Sequence, residues 1–258
     1  MVCFLKMPRL LATAFALIGL AGMAHAQSAV INPQEILLRS DVAAPAPSSF
    51  RARLALKRLP SPARHEVEVW RSGDAKTLVR FLDAKERGKY LLRLDGELWL
   101  LAPGAREPVH LGPSHRLYGG ATLDEVLGSR LARDYLADAA SEGKDATGPT
   151  IVLELRAKSE RMLFQSVRYV VRRDTNRPTR AEYHLRSGRA ATAVEFVEWS
   201  DKGLLYARRV IVRDLLRNGT PTEVEVLDFE ERVAPNALFD LRNSGARTAL
   251  AAEKLAVP

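Results

Sequence analysis

Residues 87–111 read Arg-Gly-Lys-Tyr-Leu-Leu-Arg-Leu-Asp-Gly-Glu-Leu-Trp-Leu-Leu-Ala-Pro-Gly-Ala-Arg-Glu-Pro-Val-His-Leu. Tyr90, Leu92 and Leu94 fall on one face of an extended chain. Asp95-Gly96 predicts a two-residue hairpin turn, because both central positions of that turn need φ > 0. Glu97-Leu98-Trp99-Leu100-Leu101 returns, and Ala102-Pro103-Gly104 stops it, since proline cannot donate to a ladder. The hairpin carries large apolar side chains on both faces. A sheet with one wet face would alternate cleanly instead, so protein or ligand must cover the second face.

Working outward, strands dominate. Eleven are predicted: residues 50–58, 65–71, 77–82, 90–94, 97–101, 151–155, 167–172, 179–185, 193–199, 205–212 and 223–229. Turn signals separate them, among them Asp174-Thr175-Asn176, Ser187-Gly188, Asp201-Lys202-Gly203 and Asn218-Gly219. Most gaps are too short for the helical crossovers of a parallel sheet. The fold class is therefore mainly β, an antiparallel up-and-down meander. Such a sheet curls, and must close or have its concave face covered.

Two short helices are available as covers. Asn32 is a good N-cap, Pro33 suits the first helical position, and Glu35 and the Ile31/Ile36 pair complete the start of a helix ending near Arg39. Thr122-Leu123-Asp124-Glu125 opens a second, with Gly128 as its stop. Residues 129–140 read equally as a further helix or as a helix leading into a strand. The expected organisation is a signal peptide at 1–26, a helix and Pro/Ala/Ser linker at 27–49, a half-barrel domain at 50–242 and an Ala-rich tail at 243–258.

The N-terminus bears on compartment. Lys6 and Arg9 precede an apolar run from Leu10 to Met23, and Ala24-His25-Ala26 supplies small residues at −3 and −1. These are the parts of a secretory signal cleaved before Gln27. The run is shorter than the ~20 residues a membrane span requires, which counts against a retained anchor. The only cysteine is Cys3, inside that signal. The exported chain would lack disulfides, thiolate nucleophiles and cysteine-ligated zinc. Loss of Lys6 and Arg9 takes the net charge from +8 to +6. The positive charge is scattered over strands, with Arg51, Arg53, Arg168, Arg172, Arg208 and Arg213 read as a solvated outer face. Anionic envelope surfaces suit such a chain; nucleic acid does not belong in this compartment.

Sites for chemistry are few. His110 and His115 flank Gly112-Pro113 without an acidic partner at metal-type spacing. Ser114-His115 and Ser166 lack a nucleophile-elbow setting. Glu66, Glu68, Glu223 and Glu225 alternate with apolar residues and read as exposed ladder partners. Gly119-Gly120 has no following Lys-Ser/Thr to make a phosphate loop. No catalytic residue, metal or cofactor is expected.

The order Tyr90, Leu92, Gly96, Leu98-Trp99-Leu100, Pro103, Arg106, Val109 and Leu111 resembles the outer-membrane lipoprotein-sorting family, the LolA-like periplasmic lipid carriers. Echoes follow in order: Gly128-Ser129, Asp134-Tyr135, Pro178-Thr179-Arg180-Ala181-Glu182-Tyr183, Gly188-Arg189 and Leu238-Phe239-Asp240-Leu241. The resemblance spans residues 33–242. It departs at Arg130-Leu131, where near relatives carry an acidic residue and an aromatic. It implies an incomplete barrel capped by helices around an apolar cavity for acyl chains. It also implies a non-enzymatic, monomeric carrier for a lipoprotein or lipid, loaded by an inner-membrane transporter and unloaded to an outer-membrane acceptor. Apolar strand faces around the hairpin nominate Leu54, Leu56, Val67, Val69, Phe81, Leu92 and Trp99 as acyl-chain contacts. Two readings compete: a packed sandwich with no cavity, and a periplasmic sensor module of the same fold that binds an envelope protein. Such sensors usually add a second domain, whereas this chain stops about twenty residues after Phe239.

Overall fold

The computed structural model describes residues 32–41, 47–112, 115–118, 121–122, 130–146, 148–200, 205–217, 219–242, 245 and 247. The signal peptide and its cleavage point, most of the linker, the expected second helix beyond its first residue Thr122, the turn at 201–203 and the tail beyond 242, save residues 245 and 247, lie outside these residues.

The central hairpin forms as its sequence dictates. Strands β4 (Tyr90–Leu94) and β5 (Glu97–Leu101) pair in register from Tyr90 opposite Leu101 to Leu94 opposite Glu97. Asp95 (φ 49°) and Gly96 (φ 91°) both take the left-handed conformation the tight turn needs. The flanking strands extend this unit into one 13-stranded antiparallel sheet. They are β1 (Ser49–Arg58), β2 (Arg64–Ser72), β3 (Lys76–Phe81) and β6 (Val109–Leu111) on one arm. The other arm holds β9 (Tyr135–Asp145), β10 (Gly148–Ala157), β11 (Ser166–Arg172), β12 (Pro178–His184), β13 (Ala190–Trp199), β14 (Ala207–Asp214) and β15 (Thr222–Glu231). Each arm is a simple meander, and the two join where β1 pairs with β15. The three-residue β6 and the eleven-residue β9 are the edges, so the sheet curls without closing. Bulges at Arg53/Leu54, Glu154/Leu155, Val170/Val171 and Phe196/Glu198 bend the strands.

All eleven expected strands form. Four more strands join them: β6, the small ribbon β7 (Arg116–Tyr118) and β8 (Ala121–Thr122), and β9. β9 follows a four-residue helix α2 (Leu131–Asp134), so the ambiguous 129–140 stretch is a helix leading into a strand. Its Tyr-Leu-Ala-Asp-Ala-Ala-Ser-Glu-Gly-Lys-Asp sequence has no β-branched residue. Pairing along the whole of β10 overrides that local preference. Ala137 and Ala140, opposite Leu155 and Leu153, are small where helix α1 (Pro33–Ser40) lies over the sheet.

Helix α1 starts as expected: the Asn32 side chain accepts from the backbone N–H of Gln34 (3.1 Å) and Glu35 (3.3 Å). It is fastened to the second arm. Leu37 is fully buried, the Tyr169 hydroxyl donates to the Ser40 carbonyl (2.9 Å), and the Gln34 side chain accepts from Ala137 N–H (3.0 Å).

Protein covers both faces of the hairpin. The concave face belongs to the main core. On the convex face Trp70, Leu78, Tyr90, Leu92 and Leu101 pack with Ala234, Leu238 and Phe239 from the 3₁₀ turn at Asn236–Phe239. The closing Leu-Phe-Asp-Leu motif is the patch for that second apolar face.

The outer face corrects one expectation. Arg51 is buried, not solvated, and donates to Glu68 (2.7 Å), Asp228 (3.1 Å) and Glu230 (3.1 Å). Glu68, read as an exposed ladder partner, is 0 % exposed and also pairs with Arg80 at 2.6 Å. A buried carboxylate must be paired, and two guanidiniums on neighbouring strands do this. Arg53, Arg168, Arg172, Arg208 and Arg213 keep substantial exposure, each beside a carboxylate.

Candidate functional site

The concave face is built of rows that cross the strands. One row runs Leu54–Val67–Phe81, the next Ala52–Val69–Val79–Leu91–Leu100–Val109. The row at the rim differs: Phe50–Arg71–Thr77–Arg93–Leu98–Leu111. Across the β1/β15 seam the same face continues as Val224, Val226 and Phe229, then Val210 and Val212, then Val194 and Phe196.

Three pieces lie over it. Leu37 of α1, Leu131 of α2, and Leu117 and Ala121 of the β7–β8 ribbon join the same buried cluster. The ribbon reaches β14, where Arg116 pairs with buried Asp214 at 2.8 Å. The Asp41 side chain accepts from Ala132 N–H (2.9 Å) and links the end of α1 to α2.

Of the residues nominated from sequence, Leu54, Leu56, Val67 and Val69 lie together on this concave face, none more than 3 % exposed. Phe81 shares it and is half-buried. Leu92 and Trp99 do not join them. They face each other across the hairpin on the convex side, in the cluster under the C-terminal turn. The reason is period two: both hairpin faces are apolar, so side-chain type could not tell concave from convex. Trp99 also lines an outer cleft of about 870 Å³ with Tyr90, Leu101, Pro103, Leu241 and Arg247, and its ring lies 4.8 Å from that of His110.

The concave face is partly uncovered on both arms, at Phe81, Leu100, Val109 and Leu111 on the first and along a strip on the second. Phe196, Ala207, Val226 and Phe229 are only partly buried, although they pack against the core. Aromatic contacts mark this strip: Phe50 with Phe229 (5.0 Å between centroids), Tyr206 with Phe229 (4.8 Å) and Phe196 with Trp199 (5.8 Å). Strand patterning placed these residues on strands. Nothing in it signalled that their neighbours would leave them half open.

The described histidines of the sheet are engaged with carboxylates. On the concave side His65 meets Asp83 at 2.5 Å and makes a tilted ring contact with Tyr118 (4.3 Å); on the other side His110 meets Glu97 and His184 meets Glu182 at 3.2 Å. Burial pushes the Tyr169 hydroxyl well above its ordinary pKa, with Asp41 and Tyr183 adding to the rise. The face can hold hydrocarbon by burial; among the described residues no group of three or more His, Cys, Asp or Glu is placed to hold a metal ion. No described helix is long and apolar enough to cross a membrane.

Comparison with known proteins bears out the fold. A LolA superfamily protein from Nitrosomonas europaea superposes with a TM-score of 0.71 at 24 % identity, covering 81 % of this chain and 98 % of that one. A DUF1329 family protein from Desulfovibrio piger gives 0.65 at 15 % identity, over 81 % and 95 %. A protein domain from Vibrio parahaemolyticus described as outer membrane lipoprotein-sorting gives 0.62 at 15 % identity, over 80 % and 93 %. No curated protein matches in sequence. A family model described as uncharacterized-protein-like matches residues 73–243, from the β2–β3 turn through the convex-face patch. The chain belongs to that uncharacterized-protein-like family, and its fold is LolA-like.

Proposed function

We propose that the concave face binds the acyl chains of a lipid or lipoprotein, and that the protein is a periplasmic, non-enzymatic carrier for cargo bound for the outer membrane. The observation that carries this reading is the half-buried strip Phe196, Ala207, Val226 and Phe229, which packs against the main apolar core without being covered by it. Monomers rarely leave a contiguous apolar patch open unless something binds it. Leu54, Leu56, Val67, Val69 and Phe81 form the floor that chains would reach when the covering pieces shift. Export rests on the N-terminal signal, and sorting toward the outer membrane takes support from the name of the Vibrio neighbour.

The energetics suit a carrier. A sixteen-carbon chain gains roughly 13 kcal/mol on burial, at about 0.8 kcal/mol per CH₂. Association costs of about 4–15 kcal/mol offset most of that. The surplus is small enough for release to a tighter-binding acceptor, after loading by an inner-membrane transporter. Opening would move the β7–β8 ribbon, whose Arg116–Asp214 pair crosses to the second arm.

Titration with a dansylated fatty acid tests the reading. Saturable 1:1 binding, displaced by unlabelled palmitate, supports the carrier. Absence of binding to any acyl probe overturns it and leaves a packed interaction module.

A further inference from the structure

The rim row breaks the apolar pattern of the concave face. Arg71, Thr77 and Arg93 stand side by side in register on β2, β3 and β4. Arg71 and Thr77 are 7 % and 4 % exposed. Burying an arginine demands compensation, yet Arg71 has little. Its Nε donates to the Gly73 carbonyl at 3.2 Å. Among the described residues the one carboxylate within ion-pair reach is Asp74, at 3.8 Å. Asp74 is engaged more closely by Arg130, at 2.5 Å. The Nε of Arg130 is itself buried without a hydrogen-bond partner. Burial and the neighbouring charges of Arg130, Arg93 and Arg133 push the Arg71 guanidinium down to about 10, against the opposing pull of Asp74. Arg133 has its own partner in Asp134.

This positive corner adjoins the apolar strip. The Arg71 guanidinium lies over the Phe50 ring, 5.9 Å from its centroid, and Phe50 packs on Phe229. A ligand that put hydrocarbon on Phe229 and Val226 would bring its polar end to Arg71. Guanidinium forks match phosphate and carboxylate oxygens, and the Thr77 hydroxyl, between Arg71 and Arg93 in the row, can donate to the same oxygens.

We infer that Arg71, Thr77, Arg93 and Arg130 form a subsite for an oxyanion head group, phosphate or carboxylate, carried by the amphiphile whose chains occupy the concave face. The inference rests on the carrier reading and narrows its cargo to anionic amphiphiles.

Affinities for dodecyl phosphate, neutral monolaurin and inorganic phosphate test it, measured by calorimetry on the wild-type chain and on Arg71→Gln, Arg130→Gln and Arg130→Lys. Charge-assisted bonds predict a preference for dodecyl phosphate over monolaurin on the order of tenfold or more. Both Gln variants should lose that preference while still binding monolaurin, and Arg130→Lys should keep part of it. Melting temperatures confirm folding. Should Arg71→Gln not fold, Arg130→Gln decides, since its side chain is 20 % exposed at the rim. Equal binding of the two amphiphiles by wild type overturns the subsite and leaves the carrier standing. Displacement of dodecyl phosphate by similar concentrations of inorganic phosphate overturns the head-group assignment in favour of a free-anion site. Binding of neither amphiphile overturns carrier and subsite together.

Discussion

Val226→Glu separates a ligand-binding face from a merely packed one. Val226 sits opposite Leu54 across the β1/β15 seam and is half-buried in the strip with Phe229. In the free protein a glutamate there keeps access to water and the fold should survive. With hydrocarbon bound, the carboxylate must either lose hydration or take up a proton. Protonation caps the cost. From an ordinary pKa of about 4.3, neutralising the group at pH 7 costs about 3.7 kcal/mol, roughly 500-fold in affinity. At pH 5 the same sum falls to about 1 kcal/mol, roughly fivefold. The assay is a fluorescent acyl probe with an uncharged head group, titrated into wild type and variant at both pH values, beside a melting curve. Leu56→Glu is the control. Leu56 is 1 % exposed in the core, so a charge there should cost several kcal/mol and unfold the chain. A folded Val226→Glu variant with wild-type affinity at pH 7 would refute the reasoning, as would one that unfolds like Leu56→Glu.

Other outcomes follow from particular contacts. Glu68→Gln strips the shared carboxylate from buried Arg51 and Arg80 and should cost about 3–5 kcal/mol in urea unfolding. Tyr169→Phe leaves the Ser40 carbonyl without the hydroxyl that meets it at 2.9 Å; a loss of about 1–3 kcal/mol in thermal unfolding is expected. The Asp174 carboxyl is lowered from 3.8 to about 2, chiefly by its hydrogen bond from Arg172. Its contribution to stability is therefore present above the unfolded-state value and lost as pH falls through about 2. Carbon-detected NMR titration should place its midpoint there, and Arg172→Met should return it to the usual carboxylate range.

The hairpin at 90–101 was legible because its turn and its strands obey local rules, and the eleven strands found from alternation all stand in the sheet. Helix α1 was legible through Asn32 and Pro33. β9 was only one of two readings of its stretch, because Ala137, Ala139 and Ala140 carry no strand signal; the smallness of Ala137 and Ala140 makes sense only once α1 is laid over them. Arg51 and Glu68 were read as surface because each alone looks like a ladder charge. Their burial depends on meeting Arg80 from a third strand, which pairing alone creates. The concave face was half legible: Leu54, Leu56, Val67, Val69 and Phe81 share it. Leu92 and Trp99 went to the other side because a strand apolar on both faces gives no parity. Phe196, Val226 and Phe229 read as ordinary strand residues, since incomplete cover is a property of the tertiary arrangement. Arg71 and Arg93 gain meaning only from the register that sets them beside Thr77.

Organic extraction of the protein purified without detergent from an envelope fraction, followed by mass spectrometry, tests the central claim most directly. A carrier should come away with acyl lipid or lipoprotein-derived chains near one equivalent per chain, depleted in Val226→Glu. Lipid no more abundant than on an unrelated exported protein handled in parallel would contradict it.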